Sequence, residues 1–263
     1  MLRRIVYKTQ DLAGCVLFGK DALLLKQLVH VEGRAVFGDG QSCEFGVVSA
    51  ASAPPTPPSP QPPPPSLSSS LRYPFLTYGV SNLKTCMRHA KRHGGEAVVV
   101  AGIPAVEATL TLPGGGVGVG VRALHLYRRY PAVSVTLGVP HPAQAAEFFQ
   151  GALGMWRVEG EGMKEAHTRE GRGECVVLCA SGSQPHNTTT LVLEPCSTRE
   201  LEGGGVVHPE EEEVTLTVGV RDLPSALAAF NAAGMPTSSA QHSFVALYNG
   251  VYILHVVSLE QKE

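Results

Sequence analysis

The chain has 263 residues, 43% of them hydrophobic and 17% charged, with a formal net charge of −2. That supply of apolar side chains is enough for a real core in one or two domains, and the weak, slightly negative field excludes the basic surface that nucleic-acid binding requires. No apolar run reaches the length of a membrane-spanning helix, so neither nucleic acid nor a membrane is an expected partner.

The first stretch, MLRRIVYKTQ, carries Arg3, Arg4 and Lys8 and no acid before Asp11. Such a composition is compatible with an import signal, which leaves a mitochondrial or cytoplasmic location as the expectation. Read as structure, it is a strand from Arg3 to Thr9, a Gln10-Asp11 turn and a helix. Short strands follow at 27–31, 35–38 and 42–49, and Gly38-Asp39-Gly40 suits a hairpin. Residues 51–70, ASAPPTPPSPQPPPPSLSSS, form a semi-extended polyproline insert that cannot join a sheet. The PxxP segments at 57–60 and 60–63 offer a protein partner, but they lack basic neighbours, so a solvated insert is expected.

A second strand–turn–helix opens at Phe75, turns at Ser81-Asn82 and predicts a helix over 82–93. Leu83, Cys86, Met87 and Ala90 form its buried side, and Lys84, Arg88, Lys91 and Arg92 its wet side. Strands are expected at 97–101, 106–112 and 121–127. The intervening PGGGVGVG has no GxGxxG before a helix and no GK[ST], so glycine there serves a bend or a close approach rather than a phosphate. After a junction at 128–131, Val133, Val135, Leu137 and Val139 alternate with Ser134, Thr136 and Gly138, the period of a strand with one buried face. Pro140 and Pro142 end it. Ala143, Ala146, Phe149 and Leu153 then make a helical stripe that stops at Gly154.

Strands at 174–180 and 188–194 complete this unit, with a charged, glycine-rich hairpin or lid at 160–173. A linker at 197–213 ends in the solvated run Glu210–Glu213. A fourth opening, VTLTVGVRDLPSALAAFNAAG, begins at Val214, and a final hairpin turns at Asn249-Gly250. Asp11, Ser81 and Asp222 suit the N-cap of their helices. The six cysteines form no CxxC pair, and Cys15, Cys86 and Cys175 sit in apolar segments. Free thiols in a reducing compartment are expected.

The fourfold opening, at Arg3, Phe75, Ala132 and Val214, and the stretch VSVTLGVPHPAQAAEFFQGALGM resemble the vicinal oxygen chelate superfamily, the glyoxalase/dioxygenase fold. The resemblance implies an α+β chain of four βαβββ modules, paired into two glyoxalase-like domains with curved mixed sheets. Taken in sequence, these are 1–129 and 131–263. Metal-dependent members hold one divalent ion per module pair, with His or Gln on each opening strand and Glu on each closing strand.

Carried over one position at a time, the opening ligands read Arg4, Phe75, Ser134 and Thr215. The closing ligands read Glu44, Val119, Glu194 and Leu254, with His255 one residue away. Arg4 opposes a cation by its own charge and can pair with Glu44. The resemblance therefore implies no metal, no cofactor and no catalytic residue, with Arg4, Glu44, Ser134, Glu194 and Thr215 lining binding pockets. A glutamate acting as a metal-free general base is the sharper alternative.

His125, His167, His186, His208 and His242 are scattered. His89 and His93 stand four apart and can clamp a metal from one helix face. That helix lies outside the sheet pocket in this fold and Lys91 and Arg92 flank it, so the pair is set aside. The expected function is a glyoxalase-fold binding or interaction protein with a small-molecule ligand or a protein partner. The alternatives are a divalent-metal lyase, isomerase or dioxygenase, and a subunit of a larger assembly.

Overall fold

The computed structural model describes residues 1–40, 42–50, 71, 73–101, 107–115, 118–126, 132–158, 174–180, 183, 188–197, 214–249 and 252–259. The expected polyproline insert, the lid at 160–173, the junction, the glutamate run and His167, His186 and His208 lie outside these residues.

Each module opens with a strand whose alternate residues are apolar, crosses over through a helix and returns three strands later beside its starting strand. The first contains β1 (Leu2–Thr9), α1 (Leu12–Leu17), a π-helical turn (Phe18–Ala22), β2 (Lys26–Val31), β3 (Arg34–Gly38) and β4 (Glu44–Ser49). The second contains β5 (Phe75–Val80), α2 (Leu83–Arg92), β6 (Ala97–Ala101), β7 (Glu107–Thr111) and β8 (Gly120–His125). The third contains β9 (Ala132–Val139), α3 (Pro142–Leu153), β10 (Met155–Arg157), β11 (Val176–Ala180) and β12 (Thr190–Pro195). The fourth contains β13 (Val214–Val220), α4 (Leu223–Ala232), β14 (Thr237–Ala240), β15 (Ser243–Tyr248) and β16 (Tyr252–Ser258). In each module the opening and closing strands run parallel, as a helical crossover allows.

Two eight-stranded mixed sheets result, in the order β14-β15-β16-β13-β1-β4-β3-β2 (sheet I) and β10-β11-β12-β9-β5-β8-β7-β6 (sheet II). At the centre of each, two opening strands pair antiparallel, β1 with β13 and β5 with β9. The modules thus pair first with fourth and second with third, not in sequence, and a division at residue 130 does not separate the sheets. Connection length supplies the reason. Only residues 126–131 separate β8 from β9, which keeps the third module beside the second. The far longer segment between β4 and β5 leaves the first module's opening strand free to pair elsewhere.

The helices are started by local chemistry. Asp11 Oδ1 accepts from Gly14 N at 2.8 Å, Asn82 Oδ1 from Thr85 N at 2.9 Å and Asp222 Oδ1 from Ser225 N at 3.0 Å. The cap of α2 is therefore Asn82 rather than Ser81, while α3 relies on Pro142 in its first turn. Gly154 adopts φ of 63°, the left-handed stop expected after α3.

One apolar core spans the helix-bearing sides of both sheets. It contains Ile5, Tyr7, Phe45 and Val47 of sheet I and Leu76, Leu110, Ala123 and Leu137 of sheet II. Polar contacts cross it. Leu76 N donates to Tyr7 Oη at 3.2 Å, and Tyr252 Oη donates to Gly138 O at 2.7 Å. Cys43 N donates to Thr189 Oγ1 at 3.0 Å, which in turn donates to Ala132 O at 3.1 Å. The glycine-rich stretch makes the close approach its composition suggested, since Gly114, at φ of 58°, accepts from Gln10 N at 2.9 Å. Helices join the sheets at two seams. The ring of Phe148 in α3 lies 4.9 Å from Phe230 in α4 and 5.6 Å from Tyr248, and α2 packs on the π-turn of the first module.

Candidate functional site

Residues opposite one another on paired strands point to the same side of a sheet, so strand register assigns every side chain to the core face or the open face. On sheet I, Arg4 lies beside Glu44 on one side and Thr217 on the other, and Thr217 lies beside His255. Glu44, Arg4, Thr217 and His255 therefore form one row across four strands. Arg4 Nε donates to Glu44 Oε2 at 2.7 Å, and the two side chains keep 24% and 20% of their exposure. This is a half-buried, self-paired face. Thr215 sits on the same face beside Ile253.

The corresponding row on sheet II runs Thr109, Arg122, Thr77, Ser134, Thr190 over five strands. All five are polar, yet Arg122 and Thr109 are each only 4% exposed, and Thr77, Ser134 and Thr190 1% each. The Arg122 guanidinium lies 4.8 Å from the centre of the Phe75 ring, a cation–π distance. Its Nε stands 3.0 Å from Glu107 Oε1, a charge contact rather than an aligned hydrogen bond. Among the described residues, Thr77 Oγ1 and Ser134 Oγ are buried without a hydrogen-bond partner. Groups in that condition each cost about 1–3 kcal/mol.

Glu194 lies farther along the same face, beside Gly138. Its Oε2 accepts from Tyr73 Oη at 2.7 Å. The Tyr73 ring lies over Gly138, where an added Cβ would come within 2.5 Å of Tyr73 Cδ2, and it stacks on Phe75 at 5.5 Å. Arg122, Phe75, Tyr73 and Glu194 thus line one buried polar floor.

Register redraws three of the carried-over positions. Arg4 faces Glu44, Ser134 faces Thr190 and Thr215 faces Ile253, and Phe75 is one step from the Leu76–Val121 pair, which sets it against Gly120. Val119 and Leu254 belong to the core, at 2% and 0% exposure. Glu194 is four residues from the position facing Ser134, roughly 13 Å along the strand, so Ser134 and Glu194 do not share a ligand point. His255 points to the open face, because the one-residue offset that turns Leu254 inward turns it outward.

The donor set does not fit a divalent ion in either sheet. Among the described residues, sheet I presents Arg4, Glu44, Thr215 and Ile253, with His255 three strands and roughly 14 Å from Glu44 along the row, and sheet II presents Phe75, Gly120, Ser134 and Thr190. Each face carries a guanidinium at or next to the ligand row, and each guanidinium is matched by a glutamate. A cation at such a point meets like charge and a single carboxylate already engaged.

Sequence reasoning missed Arg122, Glu107, Thr77 and Tyr73. The signal for Arg122 was present. Val121 and Ala123 alternate with Gly120, Arg122 and Leu124, which puts an arginine on the face opposite the core. Counting the glycine-rich segment one residue out of register concealed it.

No protein-family model matches the chain, and no curated protein matches it. Solved structures do. Glyoxalase I from Zea mays superposes with a TM-score of 0.63 at 14% identity, covering 98% of this chain and 92% of that one. A candidate dioxygenase from Bacillus subtilis gives a TM-score of 0.54 at 10% identity, covering 99% of this chain and 85% of that one. At these identities the likeness is one of fold, and the chain has the fold of glyoxalase I.

Proposed function

We propose that this protein is a member of the vicinal oxygen chelate superfamily without a metal on either sheet face, that it binds a small polar molecule on sheet II, and that it does not catalyse the family's metal chemistry. Its four-module length and the segments IVYKTQD, VTLGV and LGM resemble glyoxalase domain-containing protein 4. Six buried cysteines outside any disulfide support a reducing compartment, mitochondrial or cytoplasmic. The observation that carries the reading is the pair of buried hydroxyls, Thr77 Oγ1 and Ser134 Oγ, without partners among the described residues in the row that holds Arg122. A ligand with hydrogen-bonding oxygens would satisfy both.

Replacing Thr77 by Val removes the hydroxyl at nearly constant shape. If the hydroxyl is kept for a ligand, Thr77→Val stabilises the ligand-free protein by about 1 kcal/mol. It also abolishes any thermal shift produced by small hydroxy- and keto-acids in the wild type. The wild type is expected to leave the hemithioacetal of methylglyoxal and glutathione unconverted, with or without added nickel or zinc. Destabilisation by Thr77→Val, or metal-dependent turnover lost in Glu44→Ala or Glu194→Ala, would sink the proposal.

A further inference from the structure

The two helix seams are built alike but filled differently. Phe148 stands seven residues after the cap of α3, His141, and it anchors an aromatic cluster with Phe230 and Tyr248. His89 stands seven residues after the cap of α2, Asn82, and its seam partner is the π-turn Phe18–Ala22. A helical position that is apolar and aromatic at one seam is thus an imidazole at the other.

The π-turn supplies the rest. Its wide hydrogen bond, Leu23 N to Phe18 O at 3.2 Å, carries Asp21 toward α2. Wide turns of this kind recur at functional positions. Asp21 Oδ2 lies 2.9 Å from His93 Nε2, and one ligand atom from each of Asp21, His89 and His93 falls within 4.8 Å of the others. Among the described residues, His89 Nδ1 is buried without a hydrogen-bond partner. The His93 side chain is 9% exposed and that of Asp21 44%, so the cluster is walled on the α2 side and open to water on the other.

We propose that Asp21, His89 and His93 bind a transition-metal ion of the zinc class, joining the first module to the second. Two imidazoles four apart on one helix face and a carboxylate from a neighbouring element are a donor set that zinc accepts, with water completing the site. Bonds of about 2.0–2.1 Å in tetrahedral geometry place donors about 3.3 Å apart, close to the separation already present between His93 and Asp21. Coordination through His93 Nε2 needs that nitrogen's lone pair, so a proton shared there with Asp21 must leave. That proton goes to His93 Nδ1 or to solvent, and the metal takes its place. The site lies on the helix side, away from the open face of sheet II, and is independent of the ligand proposed there.

The test titrates tag-free full-length protein with Co2+ and Zn2+. Co2+ is expected to give the visible absorption of a four-coordinate ion without a thiolate charge-transfer band, at one equivalent per chain, and Zn2+ is expected to displace it. His89→Gln and Asp21→Asn, each checked for an unchanged circular dichroism spectrum and cooperative melt, should weaken binding at least 100-fold. Zn2+ should raise the melting temperature of the wild type but not of either variant. Failure of the wild type to bind a stoichiometric ion, or binding and thermal shift undiminished in both variants, would overturn the proposal. A thiolate band would do so too, by moving the ion to the cysteines.

Discussion

The ion pair on sheet II gives the sharpest quantitative expectation. Glu107→Gln keeps shape and removes the charge that faces Arg122, whose side chain is 5% exposed while that of Glu107 is 22% exposed. At the 3.0 Å separation the Coulomb attraction is about 5 kcal/mol at an effective dielectric near 20. Part of that is offset because the two groups regain hydration when the pair is broken. Breaking a buried pair from one side typically costs 3–5 kcal/mol, and the partial solvation of Glu107 puts this case at the low end, about 3 kcal/mol. Arg122→Met keeps the aliphatic stem on Phe75 and leaves the more exposed partner behind, so it should cost less, about 2 kcal/mol, including the lost cation–π contact. The double variant has no stranded charge and is expected near 2 kcal/mol rather than the sum near 5. Urea unfolding followed by the fluorescence of Trp156, the chain's single tryptophan and a residue of sheet II on β10, measures all three. Additive losses, or a Glu107→Gln cost under about 1 kcal/mol, would refute the claim that this pair is desolvated and coupled.

Two further outcomes are expected. Gly138→Ala drives a methyl group into the Tyr73 ring and the Cys196 sulfur, so it should cost about 1–3 kcal/mol by overpacking. It should also detach Tyr73 from Glu194, readable as a changed tyrosine ultraviolet difference spectrum, and an unperturbed spectrum would contradict the stacking. Stability should also fall in alkali. Burial pushes the Cys15 thiol up to about 11 and the Cys86 thiol up to about 12, from 9.0 in the unfolded chain, and drives Tyr7, Tyr78 and Tyr252 upward too. Groups with raised folded values are neutral in both states below about pH 9, so their contribution is complete there. It is lost as the pH climbs toward 11–12, because the unfolded chain ionises first. The urea midpoint should be level from pH 7 to 8.5 and decline above 9, and a midpoint unchanged at pH 10.5 would count against the buried thiols.

Much of the fold could be read from local pattern. Alternation in VSVTLGV and VTLTVGV, the stripe ending at Gly154 and the polar turns before each helix are short-range signals, and they identify four like openings because the physics of strand, cap and helix acts within a few residues. Module pairing was not legible in that way. It depends on which opening strand finds another, and the short 126–131 link decides it only once three-dimensional reach is considered. The site fared similarly. Arg4 and Glu44 face each other because opening and closing strands run parallel in register. Glu194 was misplaced because a glutamate near a strand end looks the same at any of several registers. Asp21 and α2 are brought together by a tertiary seam and a π-turn that no periodicity announces, so a histidine pair on its own gave no reason to expect a third ligand.

The contrast between the two sheets also argues for where function lies. The glutamates of the two sheets are about equally exposed, at 20% and 22%, but sheet I leaves its arginine 24% exposed, which screens the pair and makes it cheaper to keep. Sheet II carries a comparable pair in desolvated surroundings, where apolar residues of the same volume would serve stability as well or better. In the same row it keeps two hydroxyls whose burial without partners among the described residues is unfavourable. The two hydroxyls and Arg122 share one register row, with Glu107 one step along the same face, while buried polar atoms without partners among the described residues also occur at Gln27, Arg34, Tyr78 and His89. What sets this row apart is that both hydroxyls share it with a desolvated arginine, the arrangement that the ligand proposed for sheet II would satisfy. In the binding mode proposed for sheet II, Arg122 is the anchoring group of the pocket. A guanidinium offers directed hydrogen bonds and a fixed charge, which suit the recognition of oxygen-bearing molecules, but it supplies no exchangeable coordination position for metal-centred catalysis.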